Sequence, residues 1–166
     1  MANAPYVTSV HRLKLLAEME EQFLEKNVPF FESLLDNQDN VIRTRSVCIL
    51  ASIAGEKAIE PIVKVLKNDS DALVRHEAAF SLGQLGFTSA IAPLVKSIEE
   101  DPSFFVRHEA AIALGVIGSE NARSGLVGAL SDPSEEVRES AKIALANLDY
   151  VLLTNRNNTF SKMTGG

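Results

Sequence analysis

The residues best suited to chemistry in this chain are two histidines, each followed by a glutamate: His76-Glu77 and His108-Glu109. Both pairs sit in the same local string, Val-Arg-His-Glu-Ala-Ala, at 74–79 and again at 106–111. Neutral imidazole and carboxylate bind divalent first-row metals. Two histidines with one carboxylate and open positions form the ligand set of non-haem iron(II) sites that activate oxygen. His76, His108 and Glu109 supply that set from two copies of the string. Zinc accepts the same donors, so ligand type leaves the metal open. No phosphate-binding loop or nucleophile motif competes with this reading. The single cysteine, Cys48, excludes an internal disulfide and a Cys-rich zinc site. Set between Val47 and Ile49, it is expected to be a buried small apolar residue. His11 stands alone and is expected to be a surface or packing histidine.

The elements that must position these groups follow from the spacing. The two strings lie 32 residues apart. The same frame finds Ile42-Arg43-Thr44-Arg45 before the first and Val137-Arg138-Glu139-Ser140 after the second, and Ala58-Ile59-Glu60-Pro61 parallels Ala90-Ile91-Ala92-Pro93. Self-similarity at this period marks a repeat architecture. Each unit predicts two helices. The first is short and amphipathic, as in Ala58 to Lys67, with Pro61 tolerated in its opening turn. A polar turn follows, at Asp69-Ser70-Asp71, Asp101-Pro102-Ser103 and Asp132-Pro133-Ser134-Glu135. In the last of these Asp132 is expected to cap, with Pro133 at the first helical position and Glu135 three residues beyond the cap. The second helix carries Val74, Ala78, Leu82 and Leu85 on one face, and Gly55, Gly86 or Gly118 ends it.

The expected fold is therefore all-α, an α-solenoid of four stacked helix pairs over residues 28–149. Residues 1–27 precede it. Within them Thr8 to Lys26 predict a helix, with Leu13, Leu16, Met19 and Phe23 at spacings of three or four, that caps the open end of the stack. From Tyr150 the periodicity fails, and 150–166 are expected to be a flexible tail.

Composition narrows the function classes. With 46% hydrophobic and 23% charged residues the chain is that of an ordered protein. A net charge of −6 argues against nucleic-acid binding, which needs clustered Lys and Arg. No apolar run approaches the ~18 residues of a membrane span, and the first residues lack the pattern of a secretion signal. The expected location is the cytoplasm.

Helix geometry gives the histidines a shared address. Packed helices lie about 8–10 Å apart, so side chains at matching positions of neighbouring helices can lean onto one point. At about 100° per residue, His76 falls nearly opposite the Val74/Ala78/Leu82 face, on the side of Ala79 and Gly83. His108 shares its side with Ala111 and Gly115. A mid-helix glycine costs about 1 kcal/mol relative to alanine. These small residues either leave room for a ligand to approach or let helices pack closely, and spacing does not choose. Duplication alone would also copy a histidine from one repeat to the next, and Arg-His-Glu also suits a solvated helix start, where glutamate favours the dipole. The pair Phe104-Phe105 suits a core or a groove wall.

The repeat length and the valine-arginine start of each second helix resemble HEAT-type repeats, in the variety also found in phycobilin lyases. Leu73 to Leu85 and Val106 to Gly118 resemble the paired His-Glu repeats of deoxyhypusine hydroxylase, and the resemblance extends over about residues 39–150. That family is an α-solenoid of HEAT-like repeats that binds two irons and uses dioxygen to hydroxylate deoxyhypusine on a translation factor. Its two similar halves each carry His-Glu in the central two of four repeats, and this sequence resembles one half. The resemblance implies that His76, His108 and Glu109 ligate one iron and that Glu77 holds the substrate's amine. A homodimer, with two irons, would replace the fused halves, and the partner would be a basic protein such as a hypusine-bearing translation factor. The alternative is a metal-free HEAT-repeat scaffold or adaptor for protein–protein interaction, related to the phycobilin lyases.

Overall fold

A computed structural model describes residues 10–154, and every one of its regular elements is helical. After α1 (Val10–Leu24) come four pairs: α2 (Val28–Ser33) with α3 (Asn40–Ala54), α4 (Ile59–Asn68) with α5 (Ala72–Leu85), α6 (Ile91–Glu100) with α7 (Phe104–Ile117), and α8 (Arg123–Ala129) with α9 (Glu135–Thr154). The second helices α3, α5, α7 and α9 pack side by side as one layer, while α4, α6 and α8 form the other. Each pair closes on its own partner, so a single apolar core runs the length of the stack through Leu50, Ile62, Leu82, Leu94, Leu114, Leu126 and Leu148. The α-solenoid expected from the 32-residue period is the fold observed.

Local signals set the ends of the elements. Gly55, Gly86 and Gly118 stop α3, α5 and α7 with φ of +57°, +74° and +65°, a region that L side chains avoid. Asp39 and Asp71 cap α3 and α5 by accepting the amides of Val41 at 3.0 Å and Leu73 at 2.8 Å. Asp132 does not cap α9. That helix begins at Glu135, because the Asp132 carboxylate instead accepts the Ser134 amide at 2.8 Å and the guanidinium of Arg107.

This arginine is one rung of a ladder that fastens repeat to repeat. The arginine of each second helix forks onto the loop aspartate of the next unit: Arg43 onto Asp69 at 2.6 and 2.8 Å, Arg75 onto Asp101 at 2.8 and 2.9 Å, and Arg107 onto Asp132 at 2.8 and 3.0 Å. The remaining guanidinium nitrogen donates back to a carbonyl of the arginine's own loop, on Asn37, Asp69 and Asp101 in turn. Both side chains of each pair are largely buried, so the fork satisfies charges that are only thinly hydrated. Arg138 makes the same loop contact, to the Asp132 carbonyl. The arginine near the start of α3, α5 and α7 is thus an inter-repeat clamp.

The two flanks differ in part from the expectation. α1 packs on α3 across the first end of the stack, and Arg12 extends the ladder to Asp39. Its buried side is Leu15, Leu16 and Met19, whereas Leu13 and Phe23 are exposed. At the other end α9 continues through Thr154, whose hydroxyl donates to the Tyr150 carbonyl, so the tail expected from residue 150 is helical over its first turn. The rest of that expectation, residues 155–166, lies outside the described residues, as do residues 1–9.

Candidate metal centre

The layer of second helices gathers the predicted residues on adjacent helices: His76 and Glu77 on α5, His108 and Glu109 on α7. Close packing of these helices brings two of them together. A Cβ on Gly83 would stand 2.8 Å from the Cα and Cβ of Ala113, and one on Gly115 would stand 2.7 Å from the Cβ of Ala144. Ala79 and Ala111 are fully buried beside them. These small residues are therefore filled seams between α5, α7 and α9, and of the two roles open to them the close-packing one is observed. They leave no passage for a ligand.

Across the α5–α7 seam His76 meets α7 twice. Its ring stacks on Phe105 with centroids 3.9 Å apart and planes 8° from parallel, and its Nε2 lies 3.3 Å from Oε2 of Glu109. Phe105 and Glu109 are four residues apart and so share one face of α7. Glu109 is 3% exposed while the His76 side chain is 20% exposed, which makes the pair a buried carboxylate opened to solvent through an imidazole. His108 faces the next seam, where its Nδ1 lies 2.7 Å from Oγ of Ser140 on α9. Glu77 is half-buried on the α3 side of α5 and accepts a long hydrogen bond, 3.4 Å, from Ser81. Burial pushes its carboxyl above the ordinary range; His76 and Ser81 oppose that push, and the charge of Glu109 adds to it.

Whether a metal fits can be tested on these distances. Metal–nitrogen and metal–oxygen bonds of about 2.0–2.2 Å put two ligand atoms on one ion roughly 3.0 Å apart at 90° and roughly 3.4 Å apart at the tetrahedral angle. The 3.3 Å between His76 Nε2 and Glu109 Oε2 falls within that span, so this pair could share an ion as it stands. His108 completes the donor set in type, one residue before Glu109 on α7. Among the described residues, however, no three His, Cys, Asp or Glu side chains converge as a ready ligand cluster, so His108 is not drawn up to the pair.

Two residues were legible in the sequence only as something else. Phe105, the groove-wall candidate, is the platform for His76. Ser140, which stands at the repeat position of Glu77 and Glu109, is the partner of His108. Cys48 departs from its expectation: it is exposed on α3, although partial burial and the nearby Glu77 raise its thiol pKa, with Arg45 acting the other way. At the start of the second helices, Val41, Leu73 and Phe105 occupy one repeat position and are all exposed, with exposed Phe104 alongside, forming an apolar stripe across three repeats.

Comparison with known proteins agrees with this architecture. Residues 59–146 match the family model for HEAT repeats, and the chain belongs to that family. Among solved structures it is similar to human deoxyhypusine hydroxylase, with 30% identity and a TM-score of 0.72 over 83% of this chain and 49% of that one. The chain thus spans about half the length of that protein. It is also similar in fold to the CpcE–CpcF complex of the phycocyanin lyase from Nostoc sp. PCC7120, with 18% identity and a TM-score of 0.57 over 92% of this chain and 69% of that one. No curated protein sequence matches it significantly. No described helix is long and apolar enough to cross a membrane.

Proposed function

We propose that this protein is a cytoplasmic non-haem iron hydroxylase of the deoxyhypusine hydroxylase type, acting on an aminoalkyl-lysine side chain and completing a two-iron centre as a homodimer. The observation that carries the reading is the His76–Glu109 contact between neighbouring repeats, spaced for two ligands of one ion. In this reading His76, His108 and Glu109 hold the iron, and the bound iron supplies the activation of dioxygen. The chain's own groups do the rest. Phe105 fixes the His76 ring by stacking. Glu77 is a partly desolvated carboxylate, and a substrate ammonium would relieve the cost of its charge, which suits it to anchor the aminoalkyl chain. A net charge of −6 favours encounter with a basic protein carrying that side chain. The similarity to human deoxyhypusine hydroxylase over about half its length supports a second copy in place of the second half, and the exposed Val41–Leu73–Phe105 stripe supports an association surface close to the site.

The test is metal content per chain, then turnover. Protein loaded anaerobically with iron(II) is expected to hold one iron per chain. It is then given a deoxyhypusine-bearing factor, dioxygen and a two-electron reductant. One oxygen atom should enter a substrate C–H bond and the other leave as water, seen as one added oxygen by mass spectrometry. Iron-loaded protein that adds no oxygen and binds no basic partner would favour the second reading, a metal-free HEAT-repeat adaptor related to the phycobilin lyases. That reading has its own support in the match of residues 59–146 to HEAT repeats.

A further inference from the structure

Ser140 lies in the first turns of α9, 4% exposed, and its hydroxyl makes two contacts of equal length. Oγ lies 2.7 Å from the Glu136 carbonyl oxygen four residues back and 2.7 Å from Nδ1 of His108. A serine hydroxyl has one hydrogen and a carbonyl oxygen can only accept, so that hydrogen goes to Glu136. The contact with the ring must then be donated by the ring, which places a proton on Nδ1. In a neutral imidazole the lone pair is then on Nε2.

We propose that Ser140 is a positioning residue that locks His108 in the Nδ1–H tautomer and leaves Nε2 as the atom presented to a divalent metal ion. The back-bond itself is ordinary, since Ser46 donates in the same way to Ile42; what is particular is the imidazole held on the same oxygen. The arrangement serves one histidine only. The place on α7 that matches Ser140 is Glu109, whose carboxylate lies 3.3 Å from Nε2 of His76, so His76 meets no hydroxyl there and its ring is held by stacking on Phe105. The seam at Gly115 and Ala144 is what lets α9 come close enough for a side chain as short as serine to reach the ring. An imidazole whose second nitrogen is fixed by a hydrogen bond is a better-oriented and more basic ligand.

The proposal rests on the metal-binding reading for its purpose but not for its test. Metal-free protein carrying 15N-labelled histidine is examined by two-bond proton–nitrogen correlation at pH about 8.5, above the ordinary imidazole titration. His108 is expected to carry its proton on Nδ1 in the wild type, to lose that preference in Ser140→Ala, and to regain it in Ser140→Thr. Zinc titration of the same proteins should show about 10–100-fold weaker binding in Ser140→Ala and near wild-type binding in Ser140→Thr. A wild-type ring protonated on Nε2, or a tautomer indifferent to Ser140→Ala, would overturn the proposal. A tautomer that follows Ser140 in a protein that takes up no zinc or iron would uphold the hold on the ring and overturn the metal-binding reading instead.

Discussion

Gly83 of α5 lies against the backbone of Ala113 on α7, so near that a methyl group on Gly83 would stand 2.8 Å from the Ala113 Cα. The same seam brings His76 within 3.3 Å of Glu109. Adding the methyl should therefore act on both stability and site. Gly83→Ala gains about 1 kcal/mol of helix propensity but must push two backbones apart, an overpacking cost of about 1–3 kcal/mol. The expected outcome is a net loss of stability in urea unfolding together with weaker metal uptake. Gly128→Ala, in α8 with open space around it, is the control and should be neutral or stabilising.

The arginine ladder should be costly to break one side at a time. Asp101→Ala leaves the Arg75 guanidinium buried without its carboxylate, and losing one partner of a buried pair costs about 3–5 kcal/mol. Arg75→Lys keeps the charge but loses the fork, so it should cost less than Asp101→Ala yet clearly lower the urea midpoint. If Asp101→Ala unfolds at the wild-type midpoint, the ladder does not hold the repeats together.

Acid should weaken the stack through Asp39, Asp71 and Asp132. The Arg12 hydrogen bond is the largest influence holding Asp39 below the usual carboxylate range, and the Asn40 side chain does the same for Asp71. For Asp132, burial pushes the carboxyl upward, but the Arg107 bond, the Ser134 amide and the nearby guanidinium charges outweigh it and leave the group lowered. A carboxyl lowered on folding adds stability that is complete above its unfolded value, about 3.9, and is lost as pH falls through the folded value. Unfolding free energy is thus expected to be level near neutrality and to fall below about pH 4. Asp132→Asn should be less stable at pH 7 and show a shallower fall.

Metal retention is the measurement that separates the proposed ligands from their neighbour. His76→Ala, His108→Ala and Glu109→Ala should each lose stoichiometric iron, while Glu77→Ala should keep most of it and lose affinity for an aminoalkyl substrate. Plasma emission spectrometry on the purified variants reads the first, and calorimetry with an aminoalkyl amine the second. Histidine variants that keep iron at the wild-type ratio would remove His76 and His108 from the site.

Assembly is read by light scattering with and without iron(II). A two-fold dimer places the same surface on both partners, so Leu73→Glu and Phe104→Glu, on the exposed apolar stripe, should each return the protein to a monomer without unfolding it. A strict monomer in both metal states would leave one ion per chain and remove the hydroxylase analogy.

The repeat, the helix pairs and their glycine stops were legible because they are local. A period of 32 residues, an apolar position every three or four, and a glycine forced to positive φ all act within one unit of chain. The string that carries the proposed donors was legible too, since Val-Arg-His-Glu-Ala-Ala recurs at 74–79 and 106–111. What a one-dimensional pattern could not tell was which sides of α5 and α7 are covered. A helix inside a layer is flanked on both sides as well as from behind, so the Ala79 and Gly83 side, polar-facing by the one-stripe pattern, is packed against α7. Asp132 was assigned to capping because sequence shows only its near neighbours, whereas its strongest partner, Arg107, comes from the preceding unit. The platform under His76 and the hydroxyl beside His108 arise in the same way. Phe105 and Ser140 lie 29 and 32 residues from the rings they touch, and only the stacking of one repeat on the next makes them neighbours.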